Sequence, residues 1–556
     1  MEIREHFKRP ENRVAELLAV YKDEKVCAAH VLCDRHPGDS LAYTVVNADL
    51  SSIDVSFGEL RERSERLARA LWSLGLREGD RIATLMRKSE RYLVTILAIW
   101  RLGAVHVPLF TAFAPSAIAL RLDSSRCRLV FCDAVQKPKL APGNDMPADR
   151  SWKVITTGLA DTDDLTFDGL MESAEPGFPA AALGGLAPLI QIYTSGTTGK
   201  PKGVVVPIKA LASFHAYAEF GLGLQPDDAF WNAADPGWGY GLYFGVLAVL
   251  TTGARGLFLN AGFSTETTFG VLANYHVTNF AAAPTVFRSL RISGLTPPAG
   301  VKLRRATSAG EPLTPEVNDW AISALGIVVH DHYGQTEAGM LVNNHHHPAL
   351  RRPVKPGSMG HVMPGWKGTI LKLDEDEPAG PDEIGRLAFD LAHSPLAWFE
   401  GYVDEPGKTA EKFSADGRWY VTGDTAKVDE QGYLYFSARD DDVIIMAGYR
   451  IGPFEVESVI LTHPAVSECA VVAVPDVIRG EVLEAVVVVR EGYPACDELS
   501  AEIQAWVKRG YAAHAYPRQV HYAPNLPKTP SGKIQRFVVR QQLRETARKT
   551  ASWENA

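Results

Sequence analysis

The sequence predicts an α/β protein with a large N-terminal body and a small α+β domain at its C-terminal end. Three observations carry that prediction. Between residues 56 and 132, segments of helical and of strand periodicity alternate, the pattern of a mostly parallel sheet with helices on its faces. At 556 residues the chain exceeds what one ordinary hydrophobic core supports, so two or more domains are expected. Near the C-terminal end, apolar runs at 469–474 and 485–489 and a helical pattern at 499–508 form a second, compact set of elements.

Taken in order, Ser56-Phe57-Gly58-Glu59 fits a capping box, and Leu60, Leu67, Leu71 and Leu74 follow at near-helical spacing. Residues 81–85 read as a strand, 90–102 as a helix, and 104–109 and 129–132 as further strands. This part carries no readable chemistry and is read as scaffold. Residues 137–150, rich in Pro, Asp and Ala, read as a loop. Gly38-Asp39-Ser40-Leu41 faintly matches a carrier-domain serine, but no carrier-sized domain surrounds it.

Hydrophobic residues make up 46% and charged residues 22%, a globular composition. A formal net charge of −9, with no long basic tract, gives no footprint for nucleic acid or an anionic membrane. The apolar runs at 93–100 and 241–250 fall far short of the ~20 residues of a membrane span and read as buried segments. Six sparse cysteines without tight metal spacing, and a charged start lacking an apolar signal core, point to reduced thiols and a cytoplasmic protein.

The richest stretch is Tyr193 to Gly203, YTSGTTGKPKG. Thr194, Ser195, Thr197 and Thr198 supply hydroxyls, Gly196, Gly199 and Gly203 let the backbone approach a ligand, and Lys200 and Lys202 add positive charge. Apolar runs at 189–192 and 204–206 flank it, so it reads as a nucleotide-phosphate loop between two strands. It is not a Walker loop, which needs four residues between its glycines and a helix after its lysine. Here only Thr197 and Thr198 separate Gly196 from Gly199, and Pro201 follows Lys200. At this stretch the sequence resembles the adenylate-forming (AMP-binding) superfamily, and later motifs narrow the resemblance to its acetyl-CoA and medium-chain acyl-CoA synthetase branch. The resemblance runs from roughly residue 40 to 540. It implies an N-terminal AMP- and acyl-binding domain with a β-subdomain (1–438) and a mobile C-terminal domain (439–556).

The second strong motif is His332-Tyr333-Gly334-Gln335-Thr336-Glu337, after a strand at 327–330. An aromatic face there can stack on adenine, Thr336 can bond the α-phosphate, and Glu337 can hold Mg²⁺. The resemblance implies roles of that kind for these positions and adds Gly310-Glu311-Pro312 on the adenine. It also makes Trp238 a wall of the acid pocket within 234–241, and places Pro284, in YHVTNFAAAPTVFR, at the carboxylate site. Acetate-specific relatives carry a tryptophan where Gly334 stands and a branched residue where Gly239 stands. Both changes predict a deeper pocket, which Tyr240 partly offsets by its bulk. His345-His346-His347 reads as a solvated loop, since adjacent histidines rarely converge on one ion and nothing nearby completes a metal site.

The third motif, Tyr420-Val421-Thr422-Gly423-Asp424, puts a carboxylate at a strand end, suited to ribose hydroxyls. A hairpin is expected around Glu430-Gln431-Gly432. The resemblance implies that Arg439 reaches the ribose and that Asp441 is the hinge. In 447–457, Pro453 suits the first turn of a helix bearing Val456, Val459 and Ile460 on one face. By resemblance Gly448 lines the pantetheine tunnel and Arg450 contacts phosphate, although Met446-Ala447 departs from the usual residues before that glycine. Last, Pro527-Lys528-Thr529-Pro530-Ser531-Gly532-Lys533 resembles the family's catalytic-lysine loop, with Lys533 as that lysine.

The implied enzyme is an ATP- and Mg²⁺-dependent, AMP-forming ligase of a short- to medium-chain acid, branched and aromatic acids included, with CoA. Thr194, Glu337 and Lys533 would carry the chemistry. Two alternatives stay open: an acetyl- or propionyl-CoA synthetase, and a free-standing adenylating enzyme that loads a carrier protein. A degenerate regulatory protein would have lost the loop or Lys533, and both are intact. Lys533 is also a candidate for control by an acetyltransferase and deacetylase, because acetylation removes its charge. Monomer and homo-oligomer are both left open.

Overall fold

The computed structural model describes residues 9–143, 145–158, 165–194, 201–439, 442, 444–446, 449–476, 480–511, 515–529 and 533–554. They gather into two compact units, the larger taking in residues up to 194, 201–368 and 389–420, the smaller 369–388 and those from 421 onward.

Among the described residues, the larger unit holds a nine-stranded and a seven-stranded sheet. In the first, Leu41–Asn47, Arg255–Asn260, Ala229–Asn232, Asn279–Ala282, Arg305–Ala309 and Val329–Gln335 run parallel to their neighbours. Antiparallel strands flank them, Ser52–Ser56 on one side and Gly339–Asn343 and His361–Val362 on the other. The seven-stranded sheet is parallel up to Pro188–Thr194, which pairs antiparallel with Lys202–Pro207. Strands covered on both faces read as continuous apolar runs, and Val105–Pro108, Leu129–Asp133 and Asn279–Ala282 are buried throughout.

The capping box forms: Ser56 Oγ accepts from the Glu59 amide at 3.2 Å, and Glu59 Oε2 accepts from the Ser56 amide at 2.7 Å. Helix Phe57–Ser73 then buries Leu60, Leu67 and Leu71. Helix Glu90–Leu102 starts on the Ser89 cap and stops at Gly103, whose φ of +78° ends a helix without strain on a Cβ. The stretch expected as a loop from 137 begins inside a 3₁₀ helix, Ala134–Leu140, because Leu140 is buried and ties that turn to the core.

A four-stranded sheet comprises Gly368–Leu371, Gly385–Asp390, Trp419–Val428 and Leu434–Arg439, the last two joined at the expected 430–432 hairpin. In the smaller unit, strands Val466–Asp476 and Gly480–Val489 and helices Pro453–Ile460 and Asp497–Gly510 enclose a core of Val456, Ile460, Val471, Val487 and Ile503. Pro453 opens its helix as expected. All six cysteines are free, and among the described residues no helix is long and apolar enough to cross a membrane.

Candidate active site

The ends of the phosphate loop are held by strand pairing. Thr194 is the last residue of one strand and Lys202 the first of the next, and the two are register partners. Ser195, Gly196, Thr197, Thr198, Gly199 and Lys200 lie outside the described residues. Thr194 Oγ1 is buried with no hydrogen-bond partner among the described residues, a hydroxyl in need of one. Burial lowers the pKa of the half-buried Lys202, while the field of Glu337 raises it.

Strand Val329–Gln335 carries the second motif to the edge of its pairing with Gly339–Asn343, where a register shift falls between Tyr333 and Gly334. Three tyrosines hold the tripeptide that follows. Tyr420 donates to Gln335 Oε1 at 2.7 Å, Tyr243 to the Thr336 carbonyl at 3.1 Å, and Tyr402 to Glu337 Oε1 at 2.6 Å. Gln335, Thr336 and Tyr333 remain half-buried, whereas Glu337 is 8% exposed. A buried carboxylate and an unpartnered hydroxyl are hard oxygen donors, the chemistry that suits Mg²⁺.

Gly310, which begins the Gly-Glu-Pro turn, sits at φ +103°, where a side chain would strain the backbone. Glu311 Oε2 accepts from Arg288 at 2.7 Å, and Arg288 also donates to Thr285. Both partners come from the helix that Pro284 opens. Pro312 is half-buried, and the following Leu313 amide donates to Asp331 Oδ2 at 3.1 Å. Burial pushes the Asp331 carboxyl up to about 8.

His332 takes a different place from the one expected. Its Nδ1 meets the Tyr217 hydroxyl at 2.8 Å, its Nε2 meets the Asn344 carbonyl at 3.0 Å, and it is 2% exposed. The ring is a buried strut rather than a nucleotide contact. His345 and His346 are also buried, against the reading as a solvated loop, and His346 stacks on His330 with ring centres 3.7 Å apart. Strand pairing of the preceding segment draws these rings inward.

Trp238 stands against Phe110 and Phe113, at 5.4 and 5.1 Å between ring centres. Tyr240 packs on Phe244 at 5.9 Å, and Tyr217 on the same Phe244 at 4.5 Å. The two pocket glycines differ. A Cβ on Gly239 would meet Thr336 Oγ1 at 3.4 Å and Tyr243 at 3.5 Å, ordinary contacts, so that direction has room for a small side chain. A Cβ on Gly334 would collide with the Gly339 carbonyl and lie 2.8 Å from both Cα and Sδ of Met340. The space attributed to Gly334 is already filled, so the expected deepening there is corrected.

In the smaller unit, Asp424 is 3% exposed, and its Oδ1 lies 3.6 Å from Nε of Arg439, its register partner. Asp441 and Gly448 lie outside the described residues. Arg450 is placed by its backbone alone, opposite Ile445. The Lys533 amide donates to Thr529 Oγ1 at 3.0 Å, its carbonyl accepts from the Thr529 amide at 2.7 Å, and the lysine is half-buried. Next to it, Arg536 pairs with Glu457 at 2.6 Å, and Arg540 with Asp442 at 3.1 Å.

Tyr243, Tyr402 and Met340 are parts of the site that the sequence did not mark, whereas Arg288 ends the segment YHVTNFAAAPTVFR already placed beside it. For Tyr243 a tyrosine inside an apolar run was the available signal, since a buried hydroxyl needs a partner.

Two family models match this chain. A family model described as AMP-binding enzyme matches residues 31–402, and one described as AMP-binding enzyme C-terminal domain matches 455–533. An acetyl-coenzyme A synthetase of Bacillus subtilis (strain 168) is 34% identical over 533 residues, covering 93% of this chain and 90% of its own. The crystal structure of a Brucella canis acyl-CoA synthetase is 40% identical, covers 97% of this chain and 100% of that one, and superposes with a TM-score of 0.74. That of the anthranilate CoA ligase AuaEII in complex with anthranoyl-AMP is 25% identical, with a TM-score of 0.85 and coverage of 95% and 98%.

Proposed function

We propose, from the premise that this chain belongs to the AMP-binding enzyme family, that it joins a short- to medium-chain carboxylic acid to CoA. The enzyme is an AMP-forming acid–thiol ligase that uses ATP, Mg²⁺ and CoA. The carboxylate attacks the α-phosphate, and pyrophosphate leaves. The thiol then attacks the acyl-adenylate carbonyl, giving a thioester, AMP and a proton.

The observation that carries this reading is the strand pairing of Thr194 with Lys202, the residues that flank the 195–200 motif, with Glu337 supporting the Lys202 charge. The first step sets a carboxylate against three phosphates, so preorganised donors and cations are its main need. Thr194 and the loop through Lys202 would hold the β- and γ-phosphates, and Thr336 the α-phosphate. Tyr333, Gly310, Glu311 and Pro312 would frame the adenine, and Asp424 and Arg439 the ribose. Glu337 would hold Mg²⁺, which neutralises phosphate charge when bound. Lys533 would bridge carboxylate and α-phosphate. Each such contact is worth about 3 kcal/mol in the transition state. The choice of acid is supported by Gly239, which leaves room for one methyl between Thr336 and Tyr243; Trp238, Tyr240 and Pro284 would form the rest.

In the second step Lys533 withdraws, and residues 439–556 turn about Asp441 to bring Gly448 and Arg450 to the pantetheine. Asp441→Pro is expected to keep adenylate formation and lose thioester formation. Acetylation of Lys533 would stop the first step alone; mass spectrometry of cellular protein, with activity unchanged by a deacetylase, would count against it. Six free cysteines support a cytoplasmic location.

The test is AMP release with ATP and Mg²⁺, with and without CoA, across acetate, propionate, butyrate, isobutyrate, hexanoate, octanoate and benzoate. CoA-dependent turnover peaking beyond propionate is expected. A peak at acetate or propionate rejects the acid assignment, and acyl-adenylate without CoA turnover rejects CoA as acceptor.

A further inference from the structure

Tyr402 belongs to none of the motifs that carry the reaction, yet it touches two of them. Its hydroxyl donates to Glu337 Oε1 at 2.6 Å, and its side of the contact is as closed as the acid's, Tyr402 being 6% exposed and Glu337 8%. Its ring lies under Lys202, with Nζ 4.6 Å from the ring centre. Its backbone bridges Val204, and the next amide, of Val403, donates to the Gly203 carbonyl at 2.9 Å. The strand leaving the phosphate loop is therefore fastened to this residue by main chain and by side chain. The Tyr402 amide in turn donates to Thr409 Oγ1 at 2.9 Å, which fixes the segment from the other side.

Charge explains why such a spacer is needed. Lys202 lies in the field of Glu337, with Lys412 and Lys408 acting on it in the opposite sense. A flexible ammonium beside a carboxylate collapses onto it unless another group holds the oxygen, and a lysine spent on that pair serves neither phosphate nor cation. A phenol donor satisfies one oxygen without adding charge, and the ring face holds the ammonium by cation–π attraction.

We propose that Tyr402 is a positioning residue of the metal–phosphate centre, fixing Glu337 through one carboxylate oxygen and spacing Lys202 from it. The other oxygen is then free to meet a divalent cation, and Lys202 is free to meet a phosphate. This rests on the reading of the site as one for Mg²⁺ and ATP.

The test is equilibrium binding of Mn²⁺ in the presence of ATP, followed by electron paramagnetic resonance on the full-length protein, with no turnover involved. Tyr402→Phe keeps the ring and removes the donor. It is expected to weaken Mn²⁺ binding about tenfold, the size of one hydrogen bond to a charged group, and to lower the melting midpoint of the metal-free protein only by the one hydrogen bond lost. KM for ATP should rise, while thiolysis of preformed acyl-adenylate should stay as it was. In a Glu337→Gln background the same change should have no further effect, since the tyrosine acts through that carboxylate. Should Tyr402→Phe fail to fold, 4-fluorophenylalanine at 402 fills the place of the hydroxyl without its donor, and Mn²⁺ binding should weaken to a similar extent. Wild-type protein that binds no Mn²⁺ with ATP overturns the metal reading and this role together. Wild-type binding that neither substitution alters overturns the role of Tyr402 alone.

Discussion

The Asp424 carboxylate and the Arg439 guanidinium, which the sequence places fifteen residues apart, face each other 3.6 Å apart on paired strands. Asp424 is buried while the arginine side chain is 45% exposed, so the acid is the fixed member and the arginine the adjustable one. Arg439→Ala is therefore expected to raise KM for ATP by a factor of about five, in line with an exposed pair worth about 1 kcal/mol. Asp424→Asn should raise it further. Steady-state kinetics at saturating acid decides, and equal effects would show that the two residues do not divide the work in this way.

The two pocket glycines give opposite expectations. Gly239→Ala places its methyl in ordinary contact with Thr336 and Tyr243 and should shift acid preference toward shorter chains with little change in stability. Gly334→Ala drives a methyl into the Gly339 carbonyl and Met340 and should cost about 1–3 kcal/mol of stability. Thermal melts together with a chain-length series separate a change of pocket from a damaged sheet edge.

Arg288 is expected to matter for ATP without touching it. Arg288→Ala leaves the Glu311 carboxylate, half-buried, without its cation, a loss of about 1–3 kcal/mol. That loss should appear in kcat/KM for ATP and leave KM for CoA unchanged; a fall in kcat/KM for ATP matched by a rise in KM for CoA would point to general damage.

Asp331 supplies a pH dependence. Its folded carboxyl is raised to about 8 from the ordinary value of 3.8 by burial, so the folded chain keeps a proton that the unfolded chain has released. Its contribution to stability is present below about pH 4 and is lost as pH rises through about 8. Asp331→Asn, which keeps an oxygen for the Leu313 amide, should flatten the fall of the melting midpoint between pH 5 and 8. A slope unchanged from wild type would rule out this titration as its cause.

Much of this architecture was legible because local signals agree with the fold. The Ser56 box, the Gly103 stop and the Pro453 start are each dictated by a few adjacent residues. The motif residues were legible because glycine, hydroxyl and lysine in one short loop suit few other tasks. What was not legible depends on direction. Gly334 reads as empty space until the sheet register points its missing side chain at Met340. His332 reads as a ligand contact until Tyr217 and Asn344 claim both ring nitrogens. Tyr402 lies 65 positions from Glu337, and no local pattern relates them.

The stacked imidazoles of His330 and His346 have a consequence for where such a protein can work. Burial holds His330 down at about 4 and His346 well below its ordinary value, so both stay neutral in the folded chain. The unfolded chain takes up protons from about pH 6.5 downward, and the folded state loses ground over that interval. Weak organic acids acidify the compartment they enter. A fold with this core is expected to lose stability as its surroundings acidify below about pH 6.5.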